Sequence, residues 1–277
     1  MPVSGSLVVR RQLGRRLRAL REEAGKTRED VAITRICSRP KLEKIEHGQV
    51  SVRPGDVREL CRFFGRADPE TVEVLVSMAY ATSEPGWWEQ YGDVLRPDFA
   101  LYLGLEATAG ALYAYESEVV HGLLQTPAYA RGIELATRID VTPEQVHRFV
   151  ALRGERQREV FGSRRPPRVE IVLGEAALLK PVRPPEAMRD QLLHLRRMAA
   201  TRERLEIRVL PHSAGQTPAV FGSFSVLDFD DPADPAVGYH ETYDGAHYPE
   251  DPERVARFRR RFTVIRELSV PIQEYAS

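Results

Sequence analysis

Only two cysteines occur in the 277 residues, Cys37 and Cys61, and they form no spaced Cys/Cys or Cys/His pattern. A disulfide framework, a zinc site and a dithiol redox motif drop out of the expectations, and a reducing, cytoplasmic setting is inferred. No run of eighteen apolar residues exists, so no membrane span is expected, and the first residues lack the charged, apolar, small-residue order of a secretory signal. Nucleotide and hydrolase loops of the G-x-S-x-G, Walker and dinucleotide-binding kinds are missing as well. Neither a cofactor nor a metal is expected, and the chain is read as not an enzyme. There is no internal repeat and no low-complexity segment. Net charge is zero, from 40 basic and 40 acidic residues.

That zero hides an uneven distribution. Residues 1–66 hold sixteen Lys/Arg against eight Asp/Glu, a net of +8, so the remainder carries −8. A basic end on an acidic body points to a polyanion as partner of the first sixty-odd residues alone. With 42% hydrophobic and 29% charged residues the composition is that of a globular protein able to bury real cores, and the length fits one small and one larger domain.

Along the basic end, Leu13, Leu17, Leu20 and Ala24 recur at helical spacing up to Gly25. Thr27, followed by Glu29 and Asp30, caps a short helix containing Val31 and Ala32. Ser38 caps the next, with Pro40 in its first turn, Leu42 and Ile45 inward and Gly48 at its end. Helices over about 54–64 and 69–80 complete an all-α domain of five helices, residues 1–80. Residues 81–97 read as a linker with anchoring aromatics, Trp87, Trp88 and Tyr91.

Residues 98–277 read as a larger α+β domain with a small mixed sheet. A long apolar helix is expected over about 98–116, and Thr126-Pro127 and Thr142-Pro143 each open a helix. Strands are expected at 169–173, 205–210, 221–229 and 237–241, with helices over about 185–200 and 252–268. Asp228, Asp230, Asp231 and Asp234 lie among prolines and read as a polar turn rather than a metal site. His240 and Glu241 are adjacent on a strand and face opposite ways, and His194 and His212 have no ligand spacing.

A helix over 27–33, a tight turn and a helix over 38–47 make a helix-turn-helix, whose second helix enters the major groove of double-stranded DNA. Arg39, Lys41, Glu43 and Lys44 are the candidate base readers, because guanine accepts from Arg or Lys and cytosine donates to Glu. Arg28, Arg35, Ser38 and Arg53, at helix starts and loops, are the candidate phosphate contacts. The pattern Thr27, Glu29, Asp30, Val31, Ala32, Ser38, Leu42, Ile45, Glu46 and Gly48 resembles the Xre, or Cro/CI-type, regulators. The departure is the turn, where Arg35 and Ile36 stand in place of an apolar residue and a glycine. A positive φ there would strain Ile36, so a slip of one residue is expected, with Ile36 buried and Arg35 exposed.

The segments "GWWEQYGDVL", "YLGLEATAGALYAYESEVVHGLLQTPAYARGI", "LGEAALLKPV" and "IRVLPHSAGQTPAVFGSFSVLDF" are similar, in order and spacing, to the C-terminal domain of actinobacterial WhiJ-like Xre regulators, apart from His121 where proline is common. The resemblance implies developmental or antibiotic-related regulation, often as the antitoxin-like partner of a small protein encoded nearby; the chain is read as a sequence-specific transcriptional regulator whose larger domain senses a small-molecule effector or such a partner. An antitoxin-like interaction protein that regulates its own synthesis is the alternative. A single recognition helix covers few base pairs, so a homodimer is expected.

Overall fold

The computed structural model describes residues 6–65, 68–81, 86–230, 234–243 and 245–275, arranged as two compact units, Met1–Glu89 and Gln90–Ser277. Part of the expected linker, residues 82–85, and Asp231 of the acidic turn lie outside the described residues.

The first unit contains α1 (Ser6–Glu23), α2 (Arg28–Ile33), α3 (Arg39–Glu46), α4 (Pro54–Phe63) and α5 (Pro69–Ala81). Local chemistry sets their starts. Thr27 and Asp30 form a reciprocal capping box on α2, Ser38 accepts from the Lys41 amide on α3, and Pro54 occupies the first turn of α4. Gly25 ends α1 with φ +64°. Leu13, Leu17, Val31, Leu42, Ile45, Val57, Leu60, Leu75 and Val76 close one apolar core. Two glycines bring α1 against the end of α3. A Cβ at Gly14 would overlap the Ile45 carbonyl oxygen and stand 2.9 Å from that of Glu46, and a Cβ at Gly48 would stand 2.5 Å from Arg11.

The turn between α2 and α3 is shifted by one residue from the position where the sequence pattern puts a glycine. Arg35, exposed, takes the positive φ of 63°, and Ile36 follows it to pack, half-buried, against the core, with Cys37 fully inside. A straight side chain at φ > 0 avoids the crowding that a β-branched one would meet. Ile36 is less enclosed than expected because Cys37 takes the deeper place.

The second unit holds α6 (Pro97–Glu106), β1 (Ala111–Glu116), α7 (Pro127–Thr137), α8 (Pro143–Phe161), β2 (Arg168–Gly174), α9 (Ala176–Leu179), α10 (Glu186–Thr201), β3 (Leu205–Leu210), β4 (Phe224–Asp228), β5 (Val237–Thr242), β6 (Gly245–His247), α11 (Pro252–Glu267) and β7 (Val270–Pro271). The sheet is larger than the small one expected, with seven strands in the order β6-β5-β4-β1-β2-β3-β7. β1, β2 and β3 run parallel, joined through α7/α8 and α9/α10, while β4, β5, β6 and β7 are antiparallel to their neighbours.

The long helix expected over 98–116 does not exist. α6 stops at Glu106, and the chain re-enters as β1, the central strand, in register with both β2 (Leu112↔Val169) and β4 (Leu112↔Leu227). On one side of the sheet Tyr113, Tyr115, Phe224 and Val226 pack with Phe262 and Ile265 of α11. Glu116, at the carboxyl end of β1, has the opposite parity to Tyr113 and Tyr115.

Candidate nucleic-acid interface and body cavity

On α3, Leu42, Ile45 and Glu46 point inward, which leaves Pro40, Glu43, Lys44 and His47 exposed on the opposite side. Among the described residues Lys44, Arg35 and Arg53 are exposed and make no ion pair, so their charges are available to a phosphate or a base edge. Arg39 is exposed and pairs with Glu29 at 2.7 Å, and Lys41 pairs with Asp56 at 3.2 Å. Solvated pairs of this kind are worth about 0–1 kcal/mol, so DNA can compete for either cation. Ser38 spends its oxygen as the α3 cap, and its hydroxyl hydrogen remains for a phosphate.

Arg28, expected on a phosphate, is turned inward instead. Its Nε donates to Glu46 Oε2 at 2.8 Å, and the same carboxylate takes Arg21 Nε at 2.6 Å and Arg21 Nη2 at 3.1 Å. The Glu46 side chain is 1% exposed and Arg21 8%, so α1, α2 and α3 meet on one buried carboxylate. Hydrogen bonding to Glu46 raises the Arg21 pKa and keeps it charged. Arg21 also donates to the Lys26 carbonyl at 2.9 Å and so secures the loop before α2. The clamp sets the angle at which α3 is presented, a positioning task that neither Glu46 nor Arg21 disclosed by charge alone.

His47 is a second residue that sequence reasoning passed over. It follows α3 one turn after Glu43, and its Nδ1–H donates to the Glu43 carbonyl oxygen at 2.7 Å. In the neutral ring Nε2 is left as an acceptor, which suits the amino group of adenine or cytosine in the major groove. The bond is to the backbone, so the identity of residue 43 gave no signal for it in the sequence.

In the second unit a cavity of about 510 Å³ opens where β1 ends, β4 begins and β5 ends, under α6, α7 and α8. Its wall includes Glu116, His121, Arg153, Arg156, Tyr102 and Tyr239. Arg156 is fully enclosed and bonded through two nitrogens to Glu106, both at 2.6 Å. Trp87, Trp88 and Tyr91, read from the sequence as anchoring aromatics, are not among its lining residues. No group of three or more His, Cys, Asp or Glu is arranged to hold a metal among the described residues, and no described helix is long and apolar enough to cross a membrane.

Residues 12–75 match a model described as a helix-turn-helix domain, and residues 99–275 match one described as a domain of unknown function (DUF5753). No curated protein and no solved structure matches the chain.

Proposed function

The chain belongs to the DUF5753 family, and from that premise we propose that it is a sequence-specific transcriptional regulator that binds double-stranded DNA as a homodimer in the cytoplasm, with its α+β body as the sensor of a small effector. The observation that carries the reading is the helix-turn-helix itself. α3 is held through its Glu46 by Arg21 and Arg28 and, with the residue that follows it, offers Glu43, Lys44 and His47 to solvent, on a head with a net charge of +8 over residues 1–66. In this reading Lys44, Glu43 and His47 meet base edges, with Arg39 and Lys41 joining once they leave Glu29 and Asp56. Arg35, Arg53 and Ser38 meet phosphates, while Arg28 acts through Glu46.

Two copies related by a twofold axis would read half-sites about 34 Å apart. The DNA-binding head together with a cavity of about 510 Å³ in the body supports a sensing reading. The test is selection of DNA from a random pool by the full chain, followed by the mass of the complex on the selected site. Enriched inverted repeats holding two copies are expected. One copy per selected site at micromolar protein overturns the dimer, and a pool without enrichment overturns sequence-specific reading.

A further inference from the structure

The charges around the body cavity are unevenly matched. Each guanidinium in its wall already has a carboxylate. Arg156 holds Glu106, Arg153 and Arg138 share Glu134 at 2.7 and 2.5 Å, and Arg96 lies 3.2 Å from Asp98 and 3.4 Å from Glu241. Glu116 is the exception. Among the described residues it has no ion pair with an arginine or lysine, and the nearest ring nitrogen, His121 Nε2, is 4.0 Å away.

His121 does not supply the missing charge. Its Nδ1 accepts from the Leu123 amide at 3.3 Å, and burial, with the nearby Arg156 and Arg153, holds its pKa well below the ordinary histidine range. The Glu116 side chain is itself only 19% exposed. Burial pushes its carboxyl up to about 7, against the pull of the Ser223 hydroxyl, Arg156 and Arg153 and with the push of Glu241. A buried acid without a counter-ion is costly, and an opening large enough for a small molecule beside it provides a place for one.

The rings in the same wall already serve one cation, the Arg156 guanidinium, 5.3 Å from the centroids of both Phe99 and Tyr102, and together they form an aromatic surface in the cavity. Phe99 and Tyr102 stack at 5.4 Å, and Tyr102 meets Tyr239 at 4.3 Å between centroids. Aromatic faces attract ammonium groups and pack against planar ligands. An anion would meet arginines whose charge is already matched by Glu106, Glu134, Asp98 and Glu241. Arg153 Nε, buried and without an acceptor, has an N–H to spare for a carbonyl or hydroxyl of the ligand.

We propose that the body cavity binds a small amine-bearing organic molecule, with Glu116 as its counter-ion and Phe99, Tyr102 and Tyr239 against its apolar part. The assignment rests on the reading of the body as a sensor and names the class of effector.

Three probes of one shape test it on the full chain: phenethylamine, 2-phenylethanol and phenylacetate, by calorimetry at pH 8. Phenethylamine is expected to bind at least tenfold more tightly than the other two, as a charge-assisted hydrogen bond requires. Glu116→Gln should abolish that preference while leaving 2-phenylethanol unchanged. In the unmodified chain the affinity for phenethylamine should rise roughly tenfold from pH 6 to pH 8 as Glu116 ionises, an arm that does not depend on the variant folding. Preferential binding of phenylacetate, no binding of phenethylamine at millimolar concentration, or an unchanged preference in Glu116→Gln each overturns the proposal.

The same probes added to the complex with selected DNA separate the two readings. Phenethylamine that binds without altering DNA affinity upholds the site and refutes the sensor. Phenylacetate that binds in preference and alters DNA affinity refutes the site and upholds the sensor.

Discussion

Replacing Glu46 by alanine removes the carboxylate on which α1, α2 and α3 converge. Arg28, 26% exposed, can turn toward water, but Arg21, with 8% of its side chain exposed, cannot. It keeps the Lys26 carbonyl and a long contact to Glu22 at 3.4 Å, neither of which replaces two bonds to a buried carboxylate. Loss of one partner from a buried pair costs about 3–5 kcal/mol. An eighty-residue domain at 0.05–0.15 kcal/mol per residue has roughly 4–12 kcal/mol in total, so the head should lose a large fraction of its stability. The assay is hydrogen exchange on the full chain, followed over α1 to α3. At about 1.4 kcal/mol per decade, amides that open with the head should exchange roughly a hundredfold or more faster. The double variant Arg21→Met with Glu46→Leu should recover most of the protection, because an apolar pair of similar volume needs no desolvation of charge. A loss under 1 kcal/mol in Glu46→Ala, or a double variant no better than the single, would refute the clamp.

The remaining expectations concern positions with distinct physical causes. Gly14→Ala places a methyl group into the backbone of Ile45 and Glu46; α1 and α3 must part, at a cost of about 1–3 kcal/mol in a urea titration and with loss of DNA binding. Arg35→Gly relieves the positive φ of 63° and should stabilise the head by about 0.5–1 kcal/mol. It should also lower the salt slope of DNA binding by about one ion if Arg35 meets a phosphate. Lys44→Ala should change the base preferred at one position of the selected site, whereas Arg53→Ala should weaken all sequences alike; equal loss for both would remove Lys44 from the base readers. Glu116 has a folded pKa of about 7, above its ordinary 4.5, so its neutral form favours folding. That contribution is complete below pH 4.5 and is lost as pH rises through 7. His121 acts in the opposite sense below 6.5. Relative to the unmodified chain, Glu116→Gln should therefore gain on the order of 3 kcal/mol between pH 5 and pH 8; a pH-independent difference would place Glu116 in water.

Where structure is decided by neighbouring residues, it was legible in the sequence. Thr27, Ser38, Thr126 and Thr142 cap the helices they were expected to cap, and Pro127 and Pro143 stand in first turns. β1 was hidden because both of its faces are buried. With Leu112 and Ala114 on one side and Tyr113 and Tyr115 on the other, no polar residue marks the period of two, and the run merges with α6 before it. Missing β1 also hid Glu116, whose surroundings come from elements between α6 and β5. Charged residues raised a parallel difficulty. Arg28 and Lys44 look alike in a basic helix pair, yet Arg28 ends on a buried acid eighteen residues away and Lys44 ends in solvent. The direction in which a charge points is decided by tertiary packing.

The placement of β1 also bears on how the chain folds as it is made. The five α-helices α1 to α5 lie within the first 81 residues, so their core can close while the ribosome is still translating the second unit. β1 waits much longer, since its partners begin at Arg168 and, on the other edge, at Phe224. At about 5–20 residues per second, the hundred or so residues that separate β1 from β4 take roughly 5–20 s to synthesise. For that time an apolar strand has at least one edge without its partner, the condition under which strands pair with the wrong chain. The sheet is thus most exposed to aggregation before its middle is complete, and a chain that stopped short of β4 would carry that exposure permanently.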